Sequence, residues 1–70
     1  MTETLRITVN GRSKEASAGW TVERLVRELG LDPRLVVVER NLDILDRARL
    51  AQTPVEEGDT YELVHFVGGG

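Results

Sequence analysis

The sequence ends in three consecutive glycines, and the one group there that could do chemistry is the α-carboxylate of Gly70. Because glycine has no Cβ, we expect Gly68, Gly69 and Gly70 to form a flexible tail that could enter a channel too narrow for other residues. ATP can activate an ionised carboxylate as an acyl-adenylate, and a sulfur donor can then displace AMP and leave a thiocarboxylate. The pattern thus predicts a carrier whose reactive atom is on its backbone. Considered alone, the tail fits an inert frayed terminus better, but joined to the compact fold predicted below it favours the carrier.

Few other residues could do chemistry. The sequence has no cysteine, which excludes disulfides, thiolate nucleophiles and thiolate metal sites. The single histidine, His65, cannot form a multi-histidine metal site, and a lone histidine on a strand is more often structural than catalytic. We therefore expect no catalytic residue, no metal site and no bound cofactor.

Charge and hydropathy limit the class of protein. The net charge of -3 argues against a nucleic-acid-binding domain. No apolar run approaches the roughly 20 residues of a membrane span, and the N-terminus lacks a signal pattern. We expect a cytoplasmic protein, without membrane association, that is monomeric when free.

The chain has 70 residues, enough for one domain. The pattern of polar and apolar residues predicts the elements that must position the tail. Alternating polarity predicts a strand over 4–9, and Asn10-Gly11 then predicts a hairpin to a polar edge strand over 12–16. An apolar stripe at helical spacing predicts a helix over 21–29, with Thr21 as its N-cap.

The second half of the chain predicts three more strands. They cover 35–40, 44–45 and 60–67, with a turn at 41–43 and a loop or brief helix over 46–52. The predicted fold class is α+β, a mixed four- to five-stranded sheet packed on one main helix. If the first and last strands are parallel central neighbours, this is the β-grasp arrangement. The expected domain is 1–67, followed by the tail over 68–70.

Parity along the last strand predicts a surface for partner binding. Glu62 should not face so small a core, so Val64 and Phe66, which share its parity, should face outward just before the tail. The same reasoning from Glu39 places Val37 outward. Grouped exposed apolar residues indicate a partner surface, and we predict that Val37, Val64 and Phe66 form it. A register shift by one residue would bury Val64 and Phe66 instead.

The chain resembles the ThiS-type sulfur carriers of thiamin biosynthesis, in the ubiquitin-like β-grasp superfamily, over nearly its whole length. The features that carry the resemblance are the hairpin at Asn10-Gly11, the helix TVERLVRELG, the segments VVVERN and EEGD, and the ending HFVGGG. Gly69 and Gly70 match the functional Gly-Gly motif of that superfamily. Asp46 departs from the pattern, since many relatives have a proline before Arg47.

The resemblance implies a set of partners and a modification. A ThiF-like adenylyltransferase would use ATP to activate Gly70, and a persulfide-bearing donor protein would supply sulfur for a thiocarboxylate. A ThiG-like thiazole synthase would then take that sulfur into the thiazole ring. The chain itself would be a co-substrate of these enzymes rather than an enzyme.

Three other functions are compatible with the same fold and tail. The first is the small subunit of molybdopterin synthase, whose members tend to carry a proline-containing segment that HFV lacks. The second is a ubiquitin-like modifier joined to lysines of other proteins. The third is a β-grasp binding module with an inert tail.

Overall fold

Residues 3–65 are described by the computed structural model, and they form one sheet and one α-helix. The strands are β1 (Thr4–Val9), β2 (Arg12–Ser17), β3 (Val36–Arg40), β4 (Asp43–Leu45) and β5 (Thr60–His65), and the helix is α1 (Val22–Glu28). Short 3-10 turns occupy Pro33–Leu35 and Arg47–Arg49.

The last predicted features of the chain lie outside the described residues. They are the end of the last predicted strand and the whole predicted tail, namely Phe66, Val67, Gly68, Gly69 and Gly70. The predicted boundary between a domain over 1–67 and a tail over 68–70 therefore stays a prediction.

The sheet has the order β2-β1-β5-β3-β4. β5 is central and runs parallel to β1 and antiparallel to β3. Parallel neighbours need a crossover connection, which here includes α1. The β-grasp prediction is confirmed, as is the edge position of polar β2.

Local sequence explains where α1 begins and ends. The Thr21 hydroxyl accepts a hydrogen bond from the Arg24 N–H at 3.2 Å, which caps the first turn as predicted. Leu29 caps the other end, and Gly30 follows with a φ of +82°, a conformation that glycine adopts without strain. The predicted helix was one residue too long at each end.

One strand begins later than predicted. Leu35 belongs to a 3-10 turn, because Pro33 fixes φ at its start and the Asp32 carboxylate accepts the Arg34 N–H at 2.9 Å. β3 therefore starts at Val36. The region predicted as a loop or brief helix holds the second 3-10 turn, Arg47–Arg49.

A single hydrophobic core lies between the sheet and α1. The inner face of the sheet contributes side chains that pack against Val22, Leu25 and Val26 of the helix. Tyr61 of β5 is the largest fully buried side chain of this core. The opposite face, which we call the outer face, is therefore free of the helix. In the part of the chain that the structure describes, no helix is long and apolar enough to span a bilayer.

Candidate functional site

The outer face carries two of the three residues predicted to bind a partner. Val37 of β3 and Val64 of β5 lie directly opposite each other, so their side chains share this face. Val64 is 60% exposed and Val37 is half-buried. The parity argument thus placed both residues correctly, whereas their role in binding stays a prediction. Phe66, the third residue, lies outside the described residues.

The residues predicted to carry the chemistry follow β5 directly. The described part of the chain ends at His65, the last residue of that strand. Gly68 and Gly69 of the predicted tail, and Gly70 as the predicted site of adenylation, lie outside it. The flexibility expected of these three glycines and the reaction expected at Gly70 stay predictions. The structure shows instead how the strand that leads to them is held.

Two turn asparagines hold β5 from its two sides. Asn10, after β1, accepts the Leu63 N–H at its Oδ1 at 2.8 Å, and its Nδ2 donates to the Leu63 carbonyl at 3.4 Å. Asn41, after β3, accepts the Thr60 N–H at its Oδ1 at 2.9 Å. Both asparagines have positive φ, near 50°, which this residue tolerates better than most. The strand that leads to the tail is therefore fixed by side chains as well as by its neighbours.

A buried carboxylate links β5 to the β3–β4 connection. Asp59, 5% exposed, accepts hydrogen bonds from the Tyr61 hydroxyl at 2.7 Å, the Arg40 Nε at 3.0 Å and the Asn41 Nδ2 at 3.1 Å. The Glu56 N–H donates a fourth at 2.9 Å. This network ties the turn before β5 to the end of β3.

The hydrogen bonds of this network shift the pKa values of Asp59 and Tyr61 in opposite directions. Burial by itself would raise the pKa of Asp59, but the Glu56, Tyr61, Asn41 and Arg40 donors outweigh it and lower that pKa. Burial, and the donation of its hydrogen bond to Asp59, raise the pKa of Tyr61 well above its usual range. Asp59 is therefore a carboxylate and Tyr61 a neutral phenol at neutral pH.

The middle of the outer face is acidic. Glu39 of β3 lies directly opposite Glu62 of β5, and Ile44 of β4 lies opposite Glu39 on its other side. Like charges in directly opposite positions repel each other. Within residues 3–65, neither glutamate forms an ion pair.

His65, considered above, and Trp20, the single tryptophan, both have structural surroundings. His65 is exposed at the last described position of β5. Trp20 is half-buried, packs against the core next to the start of α1, and has the Arg24 guanidinium 5.5 Å from its ring centroid. Among the described residues, no group of three or more histidine, aspartate or glutamate side chains could hold a metal ion.

Sequence reasoning missed two features. It did not single out Arg40, which binds buried Asp59. It also recognised a turn at 41–43 but not the exposure of Leu42 at that turn. A polar turn next to a strand that ends in a charged residue was only a weak signal for the Arg40–Asp59 contact. The leucine at a turn position was a direct signal for the second.

Comparison with known proteins shows similarity to one family over most of the chain. A family model described as the ThiS family matches residues 7–70. The sulfur carrier protein ThiS of Bacillus subtilis is 38% identical over 50 residues, which cover 71% of this chain and 76% of that protein. A crystal structure of the thiamine biosynthesis protein ThiS from Geobacter metallireducens superposes with a TM-score of 0.75 at 33% identity, covering 94% of this chain and 100% of that one.

A second kind of relative is much longer. A thiazole synthase of Paramagnetospirillum magneticum is 47% identical over 66 residues, which cover 94% of this chain. The chain spans only 20% of the length of that synthase. Most of the synthase thus lies outside the matched unit.

Proposed function

Because the chain belongs to the ThiS family, we propose that it is a sulfur carrier protein of thiamin biosynthesis and that Gly70 carries the sulfur. The observation that supports this most is the extent of the family match, which continues through the terminal glycines to residue 70. The relatives named as ThiS proteins, one curated and one of known structure, support the same assignment.

The proposed chemistry takes place at the backbone carboxylate. A carboxylate oxygen of Gly70 attacks the α-phosphate of ATP, and pyrophosphate leaves, which gives an acyl-adenylate. A persulfide sulfur then attacks the acyl carbon, AMP leaves, and an acyl disulfide forms. A thiol cleaves that disulfide, so that the acyl group keeps one sulfur as a thiocarboxylate and the thiol becomes part of a new disulfide. An adenylyltransferase, ATP and a persulfide donor protein are therefore the required partners.

The described residues would contribute positioning rather than catalysis. β5 is central in the sheet, and Asn10 and Asn41 fix it from either side, so the strand leaves the domain in one direction. Val37 and Val64 lie exposed or half-exposed beside that exit, where an activating enzyme would contact them together with Phe66. We propose that the chain acts as a monomeric co-substrate in the cytoplasm, where ATP is available.

The test of this function is a change in the mass of the intact protein. Incubation with ATP, an adenylyltransferase and a sulfur source should add about 16 Da, the difference between sulfur and oxygen, at Gly70. Deleting Gly70 should abolish this gain, because the carboxylate is withdrawn by about 3.5 Å from atoms that must approach within roughly 3–3.5 Å. Adding one alanine after Gly70 should abolish it too.

A matched control is one alanine added before Met1, which should leave the mass gain unchanged. The melting temperatures of all these variants should equal that of the unaltered protein. An extended protein that forms a thiocarboxylate at the normal rate would show that the Gly70 carboxylate is not the reactive group.

A further inference from the structure

The two hairpins of this chain adopt the same turn with different residues. In the β1–β2 hairpin, Asn10 and Gly11 have φ values of 50° and 81°. In the β3–β4 hairpin, Asn41 and Leu42 have φ values of 51° and 75°. Two-residue hairpin turns with positive φ at both positions favour Asn-Gly, because a side chain at the second position is strained. Leu42 therefore occupies a position where glycine would be more stable.

Within residues 3–65, Leu42 makes too little contact to offset this strain. Its side chain is 88% exposed, so it buries almost no apolar surface against the domain. Strained backbone clusters at functional sites, and Leu42 is both strained and exposed. Ile44, two residues later, is also exposed, at 65%.

These two residues border the acidic middle of the outer face. Ile44 lies opposite Glu39, which lies opposite Glu62. Two apposed carboxylates without a cation among the described residues favour a basic side chain supplied by the occupant of this face. A protein surface that is complementary to this region has an apolar pocket for Leu42 and an arginine or lysine that pairs with Glu39 and Glu62.

The turn is also distant from the exit of the tail. β3 begins at Val36, opposite His65, and ends at Arg40, just before the turn. The four steps of extended chain from Val36 to Arg40 span about 13 Å at about 3.3 Å each, and Leu42 lies beyond them in the turn. A partner that receives the tail and also contacts Leu42 must therefore extend along the whole outer face.

We infer that Leu42, Ile44 and the Glu39–Glu62 pair form a second docking contact for the thiazole synthase, separate from the tail. This inference rests on the proposed function. The long relative named thiazole synthase supports the choice of occupant, because a unit similar to this chain is part of that same polypeptide. The docking contact holds the domain on the synthase while the tail reaches the site of sulfur transfer.

The test uses the full chain, the thiazole synthase of the same organism and one substitution with two readouts. Leu42→Gly should raise the melting temperature by about 5 °C, because it removes the strained side chain. The same substitution should weaken binding to the synthase about tenfold, because the apolar contact is lost. Thiocarboxylate formation by the adenylyltransferase should be unchanged.

Three variants control this experiment. Leu42→Met keeps an apolar side chain in the same conformation, so stability and binding should both stay near those of the unaltered chain. Gly11→Leu, at the equivalent position of the other hairpin, should lower the melting temperature by about as much as Leu42→Gly raises it. Glu62→Gln should weaken binding to the synthase and reduce its dependence on salt, since one carboxylate is neutralised.

The outcomes separate this inference from the carrier function. If Leu42→Gly binds the synthase as tightly as the unaltered chain while both acquire a thiocarboxylate, the docking contact is wrong and the carrier function stands. If the substitution slows thiocarboxylate formation but not synthase binding, Leu42 serves the adenylyltransferase and the assignment to the synthase is wrong. If the unaltered chain neither gains sulfur nor binds the synthase, both proposals fail.

Discussion

Among residues 3–65, Asp59 is the one buried charged residue. It accepts hydrogen bonds from four residues while only 5% exposed, so the folded state needs it ionised. We expect Asp59→Asn to lower the free energy of unfolding at pH 7 by about 2–4 kcal/mol, since Arg40 loses its buried partner and keeps only exposed Glu56. Urea unfolding followed by circular dichroism measures this directly.

The same residue predicts how stability depends on pH. The pKa of Asp59 is lower in the folded state than its ordinary value of 3.8, so its contribution is complete above that value and is lost as pH falls through the folded pKa. The difference in stability between the unaltered protein and Asp59→Asn should therefore shrink as pH falls below that ordinary value. Tyr61→Phe is the control, because it removes one donor, costs about 1 kcal/mol and keeps the acid dependence. An equal difference at all pH values would contradict this account.

This network could not be derived from the sequence. Gly58-Asp59 is typical of an exposed turn, and Arg40 is 19 positions away. Only the register of β3 against β5, which pairs Arg40 with Tyr61, brings these side chains together. Reasoning from parity assigns faces to residues but does not fix register between distant strands.

At the scale of elements, side-chain hydrogen bonds hold β5 at the points where its neighbouring strands end. β1 stops at Val9, and beyond it the Asn10 side chain supplies both hydrogen bonds to the Leu63 backbone. Asn10→Gly should keep the turn, because glycine accepts positive φ, but should lower the free energy of unfolding by about 1–2 kcal/mol.

Hydrogen exchange of single amides tests this role of Asn10. In Asn10→Gly the Leu63 amide loses its acceptor and should exchange faster than in the unaltered protein. Asn10→Asp keeps an oxygen that can accept the same N–H, so protection should be retained there. Unchanged Leu63 exchange in the glycine variant would mean that the asparagine serves only the turn.

Elements with strong local signals were predicted well. The Asn10-Gly11 hairpin, the Thr21 cap and the order of strands and helix along the chain all follow from local residue preferences and apolar spacing. The start of β3 was predicted one residue too early, because the apolar residues that begin at Leu35, after Pro33, resemble the first residues of a strand. The conformation of Pro33 and the hydrogen bond to Asp32 place Leu35 in a 3-10 turn instead.

At the scale of the whole molecule, the sheet separates a face that maintains the fold from a face that is free to bind. Leu63 and Val64 are adjacent in β5 but lie on opposite faces, the first buried and the second exposed. We expect Leu63→Asp to unfold the domain and Val64→Asp to leave its melting temperature within a few degrees, because only the first places a charge in the core.

The outer-face variant should still affect function. Val64→Asp should weaken binding to the adenylyltransferase, measured by titration calorimetry, although the protein remains folded. Thr60→Asp, an exposed position on the same strand but at the end away from the tail, is the matched control and should bind normally. Equal binding by both aspartate variants would exclude Val64 from the contact surface.

The central position of β5 has a consequence for the synthesis of the protein. A ribosome makes this strand last among the five, yet the strand joins β1 on one side to β3 on the other. A chain released before Thr60 would hold two separate hairpins with no shared neighbour, and isolated two-stranded hairpins are marginal in water. Such a fragment would be a target for cellular proteases rather than a competitor for the partner enzymes. Completion of the fold thus guarantees that the strand leading to Gly70 has been translated.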